Sequence, residues 1–359
     1  MRLVFFGLSL SSSWGNGHAT TYRSLLRGLA GLGHDILFLE RNRPWYSSTQ
    51  DLTDPDFCDM RFYDSLKQLH QWRGALAAAD AVIIGSFVPD AIAITEWLRG
   101  VRRGGLLGFY DIDTPVTLRM LEQGQAEYLS PAVMPLFDIY LSFTGGPVLR
   151  KLERRYGVRH ARTLYCSVDP ALYRPTGDTL RWDLGYLGTY SLDRQERLQH
   201  LLIDVALRLP DRRFVVAGAQ YPPDIDWPAN VERIEHLRPD QHAAFYSSLG
   251  WALNVTRKDM VRTGYSPSVR LFEATACRAP VITDTWPGLE DVFTPGRELL
   301  GAACTDDVVA ALGLPETLRS RIGEAGRART LASHTGERRA CELAALLTNS
   351  AQDRLRRTA

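Results

Sequence analysis

The N-terminal part of the chain alternates between apolar runs, a loop of small residues and an amphipathic stretch. Leu3–Ser9 is apolar and leads into a glycine- and serine-rich segment at 11–18. Tyr22–Leu32 then carries apolar residues at helical spacing, Gly33 marks its end, and Ile36–Leu39 is a second apolar run. A strand, a helix and a second strand in this order predict a parallel sheet covered by helices.

The same alternation continues along the chain and is interrupted once. The proline- and glycine-containing segment 169–177 separates two series of predicted strands and helices. We therefore predict an α/β protein with two Rossmann-like, doubly wound domains at 1–168 and 169–335. The helix predicted at 336–359 is long enough to cross back to the first domain. Because doubly wound sheets bind ligands at the carboxyl ends of their strands, we expect the domains to face a central cleft that holds the active site.

Charge and cysteine content exclude several classes of protein. The 42 Lys and Arg residues balance 41 Asp and Glu residues, which argues against a nucleic-acid coat or a membrane-surface protein. No run reaches the roughly 18 apolar residues of a membrane span, so we predict no integral membrane segment. The five cysteines contain no C-x-x-C pair. This predicts neither a disulfide scaffold nor a zinc ribbon and favours a reducing cytoplasm.

A candidate phosphate site lies between Ser266 and Glu273. A serine–proline–serine sequence predicts the start of a helix, with Ser266 or Ser268 as the N-cap. The N-terminus of such a helix, at Ser266–Val269, offers free N–H groups and the positive end of the helix dipole to a phosphate. Arg270 in the first turn can add a bidentate contact, and Glu273 lies one turn further on the same face. Spacing alone equally allows an ordinary surface pair between Arg270 and Glu273.

This segment resembles the donor-site motif of GT-B glycosyltransferases, in which a helix with Leu-Glu-Ala precedes a Cys-Gly-x-Pro-Val strand. Residues 272–282 match that helix–strand pair. Nearly the whole chain is similar to the CgeB-type (spore maturation protein-like) glycosyltransferase family. The segments that carry this similarity are 110–115, 141–146, 187–191, 254–257, 266–273 and 286–290. The resemblance implies a GT-B architecture and a nucleotide-sugar donor, which we expect to be UDP-linked.

The resemblance implies that the second domain holds the donor. Glu273 would bind the ribose, since a carboxylate accepts hydrogen bonds from both hydroxyls of a vicinal diol. Related retaining enzymes have a second glutamate eight positions earlier, where this chain has Tyr265. Backbone groups at His236 and Leu237, which follow a predicted strand, would read the base.

The diphosphate would lie near two predicted strand ends. The loop Gly188-Thr189-Tyr190 follows the first strand of the second domain and lets the backbone approach a phosphate. Arg257 and Lys258 follow another strand and can neutralise the leaving diphosphate, which a metal-free transferase must do with its own cations. A solvated loop pair is the alternative for these two residues. The predicted donor-binding residues are Gly188, Thr189, Tyr190, His236, Leu237, Arg257, Lys258, Ser266, Ser268, Val269, Arg270 and Glu273.

The first domain is expected to bind the acceptor. The loop Trp14-Gly15-Asn16-Gly17 lacks the G-x-G-x-x-G spacing of a dinucleotide site and is similar to the glycine-rich loop of GT-B enzymes. His18 follows this loop directly. It is either a catalytic base, a sugar-phosphate contact or a cap of its own helix.

Asp111 and Asp113 formally match the D-x-D motif, in which two carboxylates bind a divalent cation. The donor signals lie in the other domain, so we predict no metal site. One of the two aspartates would orient or deprotonate the acceptor, or Asp113 caps the following turn. The predicted catalytic residues are therefore His18, Asp111 and Asp113.

We predict a cytoplasmic, metal-independent glycosyltransferase without a cofactor, because the nucleotide-sugar is a co-substrate. The acceptor class stays open between a glycan, a lipid, a protein and a small natural product. A monomer and a homodimer are both compatible with the sequence, and no nucleic-acid partner is expected. The alternatives are a nucleotide-sugar epimerase or hydrolase on the same fold, and a non-catalytic nucleotide-binding protein.

Overall fold

The computed structural model describes residues 1–14 and 17–358, which form two compact units. Unit 1 consists of Met1–Ser167 and the C-terminal helix from Gly336 onward, and unit 2 is Val168–Thr335. No helix in the described part of the chain is long and apolar enough to cross a membrane.

Unit 1 is built on a sheet of seven parallel strands. These are β1 (Arg2–Gly7), β2 (Asp35–Arg41), β3 (Asp59–Tyr63), β4 (Ala81–Gly85), β5 (Leu106–Asp111), β6 (Ile139–Ser142) and β7 (Ala161–Thr163). They lie in the order β3-β2-β1-β4-β5-β6-β7, with parallel pairing throughout. The order reverses between β1 and β4, which is the topological switch point of a doubly wound sheet.

Helices cover both faces of this sheet. They are α1 (His18–Gly31), α2 (Pro44–Ser47), α3 (Arg73–Ala78), α4 (Ala91–Arg99), α5 (Thr114–Glu122), α6 (Pro147–Tyr156) and the C-terminal α14 (Gly336–Thr358), with 3₁₀ turns at Leu66–Trp72 and Met134–Leu136. Glycines let α14 pack closely on α1. A Cβ atom on Gly28 would lie 2.5 Å from the carbonyl oxygen of Gly336, and one on Gly336 would lie 2.1 Å from that of Ser24.

Unit 2 repeats the same plan with six parallel strands. These are β8 (Trp182–Leu187), β9 (Phe214–Ala217), β10 (Val231–Ile234), β11 (Leu249–Asn254), β12 (Val281–Thr283) and β13 (Leu300–Gly301). They lie in the order β10-β9-β8-β11-β12-β13, so the switch point falls between β8 and β11.

The helices of unit 2 follow the strands in alternation. They are α7 (Leu192–Leu198), α8 (Asp204–Arg208), α9 (Pro239–Ser247), α10 (Lys258–Thr263), α11 (Val269–Ala276), α12 (Thr305–Leu312) and α13 (Glu316–Ser333). A π turn at Gln199–Ile203 joins α7 to α8, and a 3₁₀ turn spans Leu289–Asp291. The central strands β4, β9 and β11 are buried at every position. Parallel strands covered on both faces read as continuous apolar runs, and this confirms the predicted α/β fold class.

Candidate functional site

The carboxyl ends of the central strands of unit 2 bring together the loops that follow β8 and β11. Ligands of doubly wound sheets bind at this switch point. Gly188 follows β8 directly, and Arg257 follows β11 as the N-cap of α10. A Cβ atom on Gly188 would lie 2.6 Å from Nη2 of Arg270. The absence of a side chain at Gly188 therefore lets the Arg270 guanidinium lie against the loop.

Arg270 lies on α11, and its guanidinium is packed against the ends of β8 and β11. Nη1 donates to Oδ1 of Asn254 at 3.0 Å, and Nε donates to the carbonyl oxygen of Leu187. The guanidinium carbon lies 4.7 Å from the centre of the Tyr186 ring. Arg270 and Glu273 are only 9% and 6% exposed. This burial excludes the alternative in which the two residues form an ordinary surface pair.

A further guanidinium, which is not among the predicted residues, belongs to Arg194 on α7. Its Nη2 donates to the carbonyl oxygen of Thr189 at 2.8 Å. Its Nε is buried and has no hydrogen-bond partner in the described part of the chain. Burial lowers the pKa of Arg194, and the positive charges of Arg270 and Arg257 lower it further. We call Arg194, Arg257 and Arg270 the arginine cluster. Guanidiniums that repel one another, with one donor left unsatisfied, are typical of an anion site.

The N-terminus of α11 belongs to the same site, since Arg270 lies in its first turn. Ser268 is the N-cap, and its side chain makes no capping hydrogen bond. Ser266 is fully buried, and its Oγ donates to the carbonyl oxygen of Gly264 at 2.8 Å. The first N–H groups of a helix, beginning here at Val269, have no partner within the helix and add the positive end of its dipole. The helix thus adds backbone donors to the side-chain cations of the arginine cluster.

A buried carboxylate that the sequence analysis missed holds the loop that carries Arg257. Asp284 directly follows β12, and Oδ1 accepts hydrogen bonds from Oγ1 and the backbone N–H of Thr256 at 2.7 and 3.1 Å. Asn254 donates through Nδ2 to Oγ1 of Thr283 at 2.8 Å. Burial raises the pKa of Asp284. The sequence feature that could have identified Asp284 is its position directly after the short run at 281–283.

The other predicted donor residues lie around this centre in different environments. Glu273 is buried beside Tyr246, whose hydroxyl donates to its Oε2 at 3.4 Å. His236 and Leu237 lie between β10 and α9, with His236 exposed and Leu237 half-buried. Thr189 and Tyr190 are half-buried in the loop after β8.

Lys258 lies in a surface ion pair. Its Nζ is 2.8 Å from Oε2 of Glu196, and both side chains are 63% exposed. The two adjacent cations therefore lie in different environments. The positive charge of Arg257 lowers the pKa of Arg194, whereas Lys258 forms a solvent-exposed ion pair with Glu196.

In unit 1 the fold brings together two of the three predicted catalytic residues. Nε2 of His18, the first residue of α1, lies 2.9 Å from Oδ2 of Asp113, the N-cap of α5. Because a carboxylate only accepts, Nε2 carries the proton in the neutral imidazole and Nδ1 keeps its lone pair. Nδ1 is buried and has no hydrogen-bond partner among the residues described. A carboxylate that orients an imidazole in this way is the arrangement of a general base.

Asp111, the third predicted catalytic residue, lies in the core. It is fully buried, and its carboxylate accepts from the hydroxyls of Tyr140 at 2.6 Å and Thr117 at 2.7 Å. The pKa of Asp111 is raised to about 6, mainly because the carboxyl group is buried. Both oxygens are occupied, so Asp111 cannot touch an acceptor or share a cation with Asp113. The prediction of a catalytic role for Asp111 is not supported by this placement.

We expect the Asp111→Asn variant to change the pH dependence of stability. The pKa of Asp111 is raised from 3.8 to about 6 in the folded protein. Protonated Asp111 therefore stabilises the folded state fully below about pH 4, and this contribution is lost as the pH rises through about 6. The difference between the two pKa values corresponds to about 3 kcal/mol in the free energy of unfolding. Urea unfolding of both proteins between pH 4 and 7.5 should show the wild type losing about this much relative to the variant. Parallel stability curves would contradict the assignment.

Unit 1 contains another buried carboxylate besides Asp111. It belongs to Glu40, near the end of β2, and it holds the loop after β1. Oε2 accepts from the backbone N–H groups of Leu10 at 2.6 Å and Ser11 at 3.0 Å, and Oε1 accepts from the hydroxyls of Ser11 and Ser9. Dinucleotide-binding folds use an acidic residue at this place to bind the ribose. Here the loop occupies both oxygens. This agrees with the missing G-x-G-x-x-G spacing.

The predicted acceptor loop is described in part. Trp14 is 41% exposed, and Gly17 is the N-cap of α1. The predictions for Gly15 and Asn16 lie outside the described residues. In the described part of the chain, no group of three or more His, Cys, Asp or Glu side chains could hold a metal ion.

Comparison with protein families gives one match. A model described as "Glycosyl transferase-like" matches residues 194–345, which includes most of α7 and the arginine cluster. No curated protein matches the sequence. The match is to this broad description, so the narrower CgeB-type assignment stays a prediction.

Comparison with solved structures shows the fold. The sucrose-phosphate synthase of Thermosynechococcus elongatus aligns with a TM-score of 0.69 at 14% identity, over 97% of this chain and 98% of that one. Anabaena Alr3699/HepE in complex with UDP-glucose aligns with a TM-score of 0.67 at 11% identity, over 97% and 100%. An alpha-glucosyltransferase in complex with UDP-glucose and DNA containing an abasic site gives 0.72 at 12% identity, over 97% and 99%. The two Rossmann-like units therefore have the fold of GT-B glycosyltransferases.

Proposed function

We propose that this protein is a glycosyltransferase that moves a sugar from a UDP-linked donor to an acceptor hydroxyl. The observation that carries the proposal is the arginine cluster at the switch point of unit 2, with the N-terminus of α11 and the buried carboxylate of Glu273 beside it. The glycosyltransferase-like match over residues 194–345 and the UDP-glucose bound by two of the aligned structures support it.

The donor would be held at three points. The arginine cluster and the N–H groups of α11 bind the diphosphate, because both present positive charge and donors to one anion. Glu273 accepts hydrogen bonds from the ribose hydroxyls. Backbone groups at Leu237 contact the base. No metal ion enters this assignment, since the guanidiniums supply the positive charge that the diphosphate needs.

The reaction then requires one proton transfer and one displacement. His18 takes the proton of the acceptor hydroxyl on Nδ1, and Asp113 stabilises the imidazolium that forms. The acceptor oxygen bonds to the anomeric carbon as the bond from that carbon to the phosphate oxygen breaks. The electron pair goes to the diphosphate, where the arginine cluster stabilises the new charge and lowers the barrier. A general base that removes the acceptor proton is what direct displacement with inversion requires.

Thermal unfolding with a panel of nucleoside diphosphates tests the donor site. We expect UDP to raise the melting temperature, because a ligand that binds only the folded state stabilises it. The Glu273→Gln variant should lose most of this shift, since the amide is a weaker acceptor for the ribose diol. Lys258→Ala is the matched control and should keep the shift, because Lys258 lies in an exposed ion pair. No shift with any diphosphate would contradict the proposal.

A further inference from the structure

Two side chains hold the backbone of the loop after β8. Nη2 of Arg194 donates to the carbonyl oxygen of Thr189 at 2.8 Å, and the hydroxyl of Tyr221 donates to the carbonyl oxygen of Gly188 at 3.0 Å. Tyr221 lies between β9 and β10, is half-buried and is not among the predicted donor-binding residues. Burial raises the pKa of Tyr221, so its hydroxyl keeps its proton at neutral pH and donates.

The peptide group between Gly188 and Thr189 has its carbonyl oxygen on the side of β9. A Cβ atom on Gly218, the residue directly after β9, would lie 2.0 Å from that oxygen, so Gly218 and Tyr221 cover the same side of the peptide. A trans peptide is planar, and its C=O and N–H point in opposite directions. The N–H of Thr189 therefore points away from β9.

The arginine cluster lies on the side to which this N–H points. In the preceding peptide, the carbonyl oxygen of Leu187 accepts from Nε of Arg270, whereas the N–H of Gly188 donates to the carbonyl oxygen of Ala217 on β9 at 2.8 Å. Arg270 thus approaches the loop from the side opposite to β9. The N–H of Thr189 has no acceptor in the described part of the chain, so it is free to donate to an anion beside Arg270.

Tyr221 is itself held in place by an arginine. The guanidinium carbon of Arg233 on β10 lies 4.2 Å from the centre of the Tyr221 ring and 4.5 Å from a ring centre of Trp227. Nη1 of Arg233 donates to the carbonyl oxygen of Val216 on β9 at 2.5 Å, and Nη2 donates to that of Gly218 at 3.1 Å. The guanidinium uses its face for the rings and its edge for the carbonyls, so Arg233 fixes the Tyr221 ring to the end of β9.

We propose that Tyr221 and Arg233 are positioning residues that turn the N–H of Thr189 toward the diphosphate of the donor. Arg233 orients the Tyr221 ring, and the Tyr221 hydroxyl holds the carbonyl of Gly188 on the side of β9. The N–H then adds an uncharged donor to the arginine cluster and helps to stabilise the diphosphate as its bond to the sugar breaks. The inference rests on the proposed function, because it concerns the same donor site.

Titration calorimetry with uridine and UDP tests the role of Tyr221. The ratio of the two dissociation constants, uridine over UDP, reports contact with the diphosphate. Tyr221→Phe keeps the ring and removes the hydroxyl, so the peptide after Gly188 is no longer held. We expect the ratio to fall about three- to tenfold, because a hydrogen bond to a charged group is weakened. Uridine should bind the wild type and the variant equally well.

The salt dependence of UDP binding separates this positioning role from a general disturbance of the site. Tyr221 carries no charge, so the affinity of Tyr221→Phe for UDP should fall with salt as steeply as that of the wild type. A displaced arginine cluster would make the dependence less steep. A less steep dependence in Tyr221→Phe would therefore show that the substitution acts on the arginines, and it would overturn the inference.

Arg233→Lys tests the step from Arg233 to Tyr221. Lysine keeps the positive charge but lacks the planar group that packs between two rings and donates to two carbonyls. We expect the ratio of uridine to UDP to fall in Arg233→Lys. The double variant with Tyr221→Phe should lose no more than Tyr221→Phe alone, because Arg233 acts through the Tyr221 hydroxyl. Losses that multiply in the double variant would show that it does not.

The outcomes distinguish this inference from the proposed function. Tyr156→Phe is the control and should keep the wild-type ratio, because the Tyr156 hydroxyl is buried in unit 1 without a partner among the described residues. If the wild type prefers UDP to uridine and the ratio is unchanged in folded Tyr221→Phe, the positioning role is wrong while the donor site stands. If the wild type binds UDP no more tightly than uridine, the proposed diphosphate site fails and the inference fails with it.

Discussion

The His18→Gln variant is expected to lower the turnover number of sugar transfer by about 10²- to 10⁴-fold, the usual contribution of a general base. Glutamine can still donate through its amide to Asp113, as His18 does over 2.9 Å, but it has no lone pair of comparable basicity. The affinity for UDP should change by less than about twofold, since the binding groups lie in unit 2. The measurement is the rate of UDP release from the preferred donor, with water or a glycoside as acceptor.

Asp113→Asn supplies the control for this assignment. The amide can donate to Nε2 of His18, which would place the proton on Nδ1 and remove the lone pair that acts as the base. We therefore expect slow turnover in this variant although the imidazole is intact. Turnover at the wild-type rate in His18→Gln would show that His18 only caps or packs α1 and is not the base of the reaction.

The Arg194→Gln variant is expected to weaken UDP binding by about 10- to 100-fold, because a charge-assisted contact to the diphosphate is removed. Uridine, which has no phosphate, should bind both proteins equally well. The affinity of the wild type for UDP should also fall more steeply with salt than that of the variant, since salt screens the attraction between cation and phosphate. Titration calorimetry of UDP and uridine at two salt concentrations measures both effects.

Arg208→Gln is the matched control for this charge change. Arg208 is on α8 and lies in an exposed ion pair with Asp306, so its loss should leave the affinity for UDP unchanged. If Arg194→Gln weakened uridine and UDP binding by the same factor, Arg194 would hold the loop through Thr189 and would not contact the diphosphate.

The alternation of apolar runs and amphipathic stretches was sufficient to predict parallel sheets in two series. The edge strands β3 and β13 do not show this alternation. The β3 sequence has only one buried residue of five, and β13 is two residues long. Edge strands pair on one side and are partly exposed, so they lack the continuous apolar signal that identified β4 and β11. The helix α7 begins at Leu192 and continues into a π turn at Gln199–Ile203, which no spacing pattern indicated.

For residues that lie close together in the chain, spacing alone predicts their relative positions on a helix. The spacing of Ser268, Arg270 and Glu273 depends only on the geometry of one helix, and the structure places all three on or at the start of α11. The same local reasoning could not decide which side chain faces solvent. Arg257 and Lys258 are adjacent and chemically similar, yet among the residues that the structure describes it is Lys258 that meets a carboxylate, Glu196, across 62 positions of sequence.

The sequence by itself determined the class of fold, a helix start at Ser266 or Ser268 and the strand ends at which a ligand would bind. Periodicity and capping depend on residues a few positions apart, so a single sequence contains them. Only the tertiary structure decided that Arg194 joins Arg270, that Asp113 and not Asp111 meets His18, and that Glu40 is occupied by a loop. These contacts link segments up to 95 positions apart. They depend on the order of strands in each sheet, which is set by the packing of the whole unit and not by any local pattern.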